Sequence, residues 1–271
     1  MNRPVWTFLA IAFTIPWLLW LLRLGTGVDV IAAGGMLGVG VATLVTVRRF
    51  DLHDTGLTRQ PVRRLAGQSA AAVAAILGLA ALAVAIGGAT GVHRLDLAGF
   101  SGLHQVYGAG ATAEVLVAAL VQSGLLFLLV LPLAFCEEWG WRGFLLPRLM
   151  RFGRWTAFGL SGIIWATWHL PGYIGSPAWT TFIPFTVFTV LLGTLLGLLR
   201  MHTKSVWACA VAHAANNTLV IGFVNTAFTD AAELARPDPW SMGLSGWPGW
   251  VVMVVLIAAL ATVTTRKQVS A

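Results

Sequence analysis

Three short stretches of this chain place polar, chemically competent residues in strongly apolar surroundings. The first is FCEEWGWRGFLLPRL (135–149), the second IIWATWHLPGY (163–173) and the third VAHAANNTL (211–219). Glu137 and Glu138 are adjacent, so on a helix their side chains diverge by about 100° and cannot do the same job. Glu138 and Arg142 are four apart with the acid first, the favourable order for a helical ion pair. That pairing leaves Glu137 unassigned, and a lone carboxylate at low dielectric suits a general base working near neutral pH. A wider structural network, with both acids tied to Arg142 and Arg148, accounts for the same residues without chemistry. His169 stands just before Pro171, where an apolar run ends. His213 and Asn217 are four apart and share a helical face, and both can donate hydrogen bonds to a developing oxyanion. Asn216 points elsewhere on such a helix, towards a packing role.

The elements that must carry these residues follow from composition. Of 271 residues, 58% are hydrophobic and 10% charged, with a mean hydropathy of +0.81. Soluble domains run nearer about 25% charged, and a chain this apolar does not stay solvated and disordered. The expected fold is an all-α polytopic membrane bundle of about eight transmembrane helices, one integral membrane domain over 1–271. Spans of about 20 residues fit 5–22, 28–47, 67–88, 113–136, 155–173, 180–199, 205–225 and 248–265. The first run lacks a small-x-small cleavage pattern and is expected to stay as a span. With both termini cytoplasmic, 14 of the 17 basic residues fall inside, leaving Arg23, Arg94 and Arg236 outside. That asymmetry is the positive-inside pattern. It also accounts for the net charge of +7 without nucleic acid as a partner. The lipid bilayer is the partner it implies.

Depth along the helices allows the three stretches to meet. If the fourth and fifth spans turn near residue 152, Glu137 and His169 both lie roughly 22–26 Å from the turn. His213 is nine residues from Lys204, about 14 Å along its helix. Breaks at Pro132 and Gly140 can absorb the mismatch.

The remaining features read as connectors. The segment 48–64 is a surface loop, and its Asp51, His53 and Asp54 are solvated rather than metal-binding. The segment 89–112 is an outer loop whose His93 and His104 have no carboxylate at ligand spacing. The segment 226–247 is an outer lid or connector, and Trp240, Trp247 and Trp250 flank the last span as interfacial aromatics. Cys136 and Cys209 fall inside spans, as small buried residues without a disulfide framework.

The three motifs, in this order, resemble the CPBP family of CAAX proteases and bacteriocin-processing proteins, intramembrane glutamic endopeptidases that include the type II CAAX prenyl endopeptidase. The likeness covers about 112–225, a CPBP-like catalytic core. It rests on Glu137-Glu138-Trp-Gly-Trp-Arg142, Trp165-Ala-Thr-Trp-His169 and His213-Ala-Ala-Asn-Asn217. One departure is Trp165, where the family usually has Phe, one aromatic for another. The resemblance implies that Glu137 activates water as general base and that His169 holds or polarises that water. It implies an oxyanion hole of His213 and Asn217, with Glu138 and Arg142 as the supporting ion pair, no cofactor, and a membrane-associated protein or peptide as substrate.

Other classes remain open on the sequence. A zinc-dependent intramembrane peptidase would use Glu137, His169 and His213 as ligands, although the His-Glu-x-x-His pattern is absent. A cysteine peptidase would need a histidine anchored to Cys136. A transporter would use the buried Glu and His as a proton relay, against which stand the Asn217 partner of His213 and the lack of inverted repeats. A non-catalytic scaffold or immunity-type protein is the last. The 15 Arg against 2 Lys suggest a GC-rich bacterial genome and hence a multi-pass protein of the bacterial plasma membrane.

Overall fold

Long charge-free stretches have one stable answer in a bilayer, a helix that satisfies every backbone group internally. The computed structural model of the chain follows that rule and describes residues 3–26, 30–50, 55–57, 59–174 and 180–269. The Asp51, His53 and Asp54 cluster lies outside the described residues. The helices are α1 (Arg3–Thr26), α2 (Val30–Arg49), α3 (Val62–Thr90), α4 (Ser101–Tyr107), α5 (Thr112–Glu138), α6 (Leu146–Leu149), α7 (Arg154–Trp168), α8 (Phe182–Thr203), α9 (Val206–Ala215), α10 (Asn225–Phe228), α11 (Ala231–Ala235) and α12 (Trp247–Val269). Among the described residues there is no strand, only an isolated antiparallel bridge between Leu95 and Thr229.

Among the described residues, five helical stretches are long and apolar enough to cross a membrane: Arg3–Arg23, Val62–Thr90, Thr112–Phe152, Phe182–Thr203 and Val206–Phe228. Two departures from the expected spans have local causes. The stretch beginning at Thr112 runs on to Phe152 instead of ending at residue 136, because a π-helical segment, Trp139–Leu145, continues it. Conversely, α7 ends at Trp168 after 15 residues, about 22 Å of helix. Pro171 then diverts the chain into a short 3₁₀ turn, Leu170–Tyr173. The reversal between the two is made by Gly153, whose φ of 89° suits glycine.

The helices pack around one main core, with α1 against α2, α7 against α8, and α5 and α3 against α9. Small residues set the closest approaches. A Cβ on Gly162 of α7 would lie 2.6 Å from the Val190 Cα of α8, so only glycine permits that contact. Indole donors join distant helices. Trp168 Nε1 donates to the Ala12 carbonyl at 2.9 Å, and Trp17 Nε1 returns a bond to the Trp168 carbonyl at 3.1 Å. On α5, by contrast, Leu125, Leu128 and Leu129 are more than half exposed. Such an apolar row demands a lipid solvent.

The two long connectors are more ordered than loops. The segment 89–112 contains α4, and the segment 226–247 contains α11, capped by the Asp230 carboxylate accepting from the Ala232 N–H at 2.9 Å. The two are tied by Asp96 N–H to the Phe228 carbonyl and Asp230 N–H to the Arg94 carbonyl. Beneath them His93 is buried, with Nε2 2.9 Å from the Thr229 hydroxyl. His104 stays local, its Nδ1 3.3 Å from the Gly108 carbonyl.

Burial holds the His93 ring below the usual imidazole range, partly offset by the Glu233 carboxylate. A depressed folded-state value means that the stabilisation is complete above the ordinary value of 6.5 and declines as pH falls below it. Amide exchange at Asp96 and Asp230, corrected for its intrinsic rate, is therefore expected to accelerate between pH 7 and pH 5. His93→Gln should flatten that dependence; an unchanged parent profile would show that His93 does not govern the clasp.

Candidate active site

The site is built where two helices lose their regular pitch. Glu137 and Glu138 are the last residues of α5, immediately before the π-helical Trp139–Leu145 segment. His213 lies near the end of α9, and a second π-helical segment, Asn216–Val224, begins three residues later. Such segments are rare and concentrate at functional sites, because the wider turn re-aims side chains out of the α-helical phase. Gly140 lets the first segment pack closely, since a Cβ there would meet Val39 at 2.4 Å.

Glu138 and Arg142 form the expected pair, Arg142 Nη1 to Glu138 Oε1 at 2.8 Å, with both side chains buried. The structure adds a third member. His213 Nδ1 lies 2.9 Å from the same Oε1, which ties α5 to α9. Nothing in the spacing relates residue 138 to residue 213, so this bond is not foreseeable from the sequence, where the acids have Arg142 and Arg148 as candidate partners.

Glu137 points the other way, as its adjacency to Glu138 requires. Its Oε2 accepts two indole N–H groups, from Trp165 at 2.7 Å and Trp141 at 3.2 Å. The carboxylate is buried, and among the described residues no donor reaches Oε1. Trp141 sits four residues after Glu137, a spacing that could have disclosed it.

His169 Nδ1 is 2.9 Å from the Trp165 carbonyl. A carbonyl only accepts, so Nδ1 carries the hydrogen, and Nε2 of the neutral ring presents a lone pair. Trp168 and Phe185 pack edge-on to this ring, at centroid distances of 4.6 and 4.9 Å.

Glu137, His169, His213 and Asn217 all line one cavity of about 210 Å³. Apolar side chains such as Trp20, Met36 and Phe188 complete its wall. Asn216 lines the cavity too, contrary to the α-helical expectation that it points away, because the π-helical turn begins at that residue. Its Nδ2 donates to Asn217 Oδ1 at 3.0 Å, which leaves the Asn217 amide N–H groups for the cavity. Cys136 does not join this wall; its Sγ packs where Gly40 of α2 approaches. Cys209 is buried, with Sγ 3.4 Å from the Leu196 carbonyl.

Residues 117–219 match the family model of the type II CAAX prenyl endopeptidase Rce1-like proteins. The chain resembles this CAAX protease family from within α5 to two residues beyond Asn217, so the match takes in all three motifs. No curated protein matches the chain. The long apolar helices make this a multi-pass membrane protein, and its segment 117–219 is similar to a family of CAAX proteases. As for a metal, among the described residues no three His, Cys, Asp or Glu side chains are grouped to hold an ion.

The shared Glu138 carboxylate generates a stability prediction. Glu138→Ala would leave Arg142 and His213 without their anion in a buried site, a loss of about 3–5 kcal/mol. Thermal unfolding in detergent, compared with the parent, measures it; a loss below about 1 kcal/mol would mean the cluster is not what joins α5 to α9.

Proposed function

We propose that the chain is an intramembrane glutamic endopeptidase that hydrolyses a peptide bond in a membrane-associated protein or peptide. The observation that carries this reading is the single cavity lined by Glu137, His169, His213 and Asn217. The Rce1-like match supports it, since that family is named for endopeptidase activity.

The two indole bonds hold Oε2 of Glu137, so Oε1 is the oxygen offered to water. Glu137 takes one proton from that water, and His169 Nε2 accepts a hydrogen bond from the other O–H and orients the oxygen lone pair. The hydroxide adds to the scissile carbonyl carbon and gives a tetrahedral oxyanion. His213, its Nδ1–H bonded to Glu138, turns Nε2 towards the cavity. Donation from Nε2 to the oxyanion, beside the Asn217 amide, requires a hydrogen on both ring nitrogens. The intermediate collapses as protonated Glu137 returns its proton to the leaving amine nitrogen. No covalent enzyme intermediate forms.

Comparative membrane proteomics tests the proposal. Cells with the parent protein should show a protein neo-terminus that disappears with Glu137→Gln at equal protein level. Asn217→Ala should slow its formation by roughly 10²–10³-fold, the effect of losing one oxyanion donor. A neo-terminus that persists undiminished in Glu137→Gln cells would overturn the assignment of the base.

A further inference from the structure

Trp165 stands against four polar groups of the site, Glu137, Arg142, His169 and His213. Its indole N–H is the shorter of the two bonds to Glu137 Oε2, 2.7 Å against 3.2 Å from Trp141. The Arg142 guanidinium carbon lies 4.4 Å from the centre of the Trp165 ring, a cation–π distance. The His213 ring stands edge-on at 5.2 Å, and the His169 ring at 5.9 Å. The Trp165 backbone carbonyl is also the acceptor that fixes the His169 tautomer. The side chain is buried.

We infer that Trp165 is a positioning residue: its indole N–H pins Oε2 of Glu137 and thereby decides which carboxylate oxygen faces the reacting water. The inference rests on the proposal that Glu137 is the base. A Phe, the residue the resemblance leads one to expect here, would supply the ring face for Arg142 and the packing for the histidines. It would supply no donor to the carboxylate. Trp141 alone would then hold Glu137 through a longer bond made from the next turn of the same chain segment, whereas Trp165 reaches across from α7. Two donors from two different elements fix a planar carboxylate; one leaves it free to rotate about its last bond.

The test uses the full-length protein with two substitutions that both remove the N–H, the first with loss of ring volume and the second without it. These are Trp165→Phe and replacement of Trp165 by 3-benzothienylalanine, whose ring keeps the indole outline. Difference infrared spectroscopy of the parent against Glu137→Gln identifies the carboxylate stretching bands of Glu137. Those bands should shift in both Trp165 variants, a signature that a purely packing role would not move. In cells, the neo-terminus abolished by Glu137→Gln should form roughly 10- to 100-fold more slowly, as expected for loss of a hydrogen bond to a charged group. Unshifted bands, or formation within twofold of the parent in the benzothienyl variant, would overturn the inference while leaving Glu137 as the base. A neo-terminus that survives Glu137→Gln would instead remove the proposal beneath it.

Discussion

The polar interior of this molecule depends on one carboxylate oxygen, Oε1 of Glu138, shared between the Arg142 guanidinium and the His213 imidazole. An anion in a low-dielectric bundle is tolerable only when paired, and removal of a partner is far costlier than the net worth of the pair. Because the two partners sit on different helices, that electrostatic requirement fixes α5 against α9. The remaining geometry follows from this join. With Glu138 turned to α9, its neighbour Glu137 must turn towards α7, where the indoles of Trp141 and Trp165 receive it.

Tryptophan is the second economy of the fold. The chain has 13, and a membrane protein is expected to spend them at the water interface. Several work instead as donors inside the bundle, Trp17 half-buried and the others buried. Trp168 and Trp17 bond backbone carbonyls between α1 and α7, and Trp141 and Trp165 bond a carboxylate. An indole gives a large apolar body and a single N–H with no acceptor to satisfy. It can solvate an anion without importing charge into the bilayer, which a lysine or arginine could not do.

Much of this was legible in the sequence, for identifiable reasons. Apolar runs marked the helices, because a bilayer leaves few alternatives for a backbone. The Glu138–Arg142 pair could be read from a spacing of four, and the reversal near residue 152 did bring Glu137 and His169 to one cavity. What stayed hidden depended on departures from ideal geometry or on long-range contact. Pro171 shortened α7, and the π-helical turn at Asn216 swung that residue into the cavity, where an α-helix would have turned it away. The bond from His213 to Glu138 joins residues 75 positions apart, and no local rule foresees it. Trp165 was visible as an aromatic substitution, yet its N–H had meaning only once Glu137 lay 2.7 Å from it.

The two π-helical segments, Trp139–Leu145 and Asn216–Val224, carry a consequence for how this protein can change over time. A wide turn holds one residue more than an α-helix needs, so deleting a residue there would tighten the helix into a locally more favourable form. The same deletion would rotate everything beyond it by about 100° and advance it by about 1.5 Å. Local stability and site geometry therefore select in opposite directions on chain length. Through these segments, the number of residues is as much an inherited functional trait as their identity.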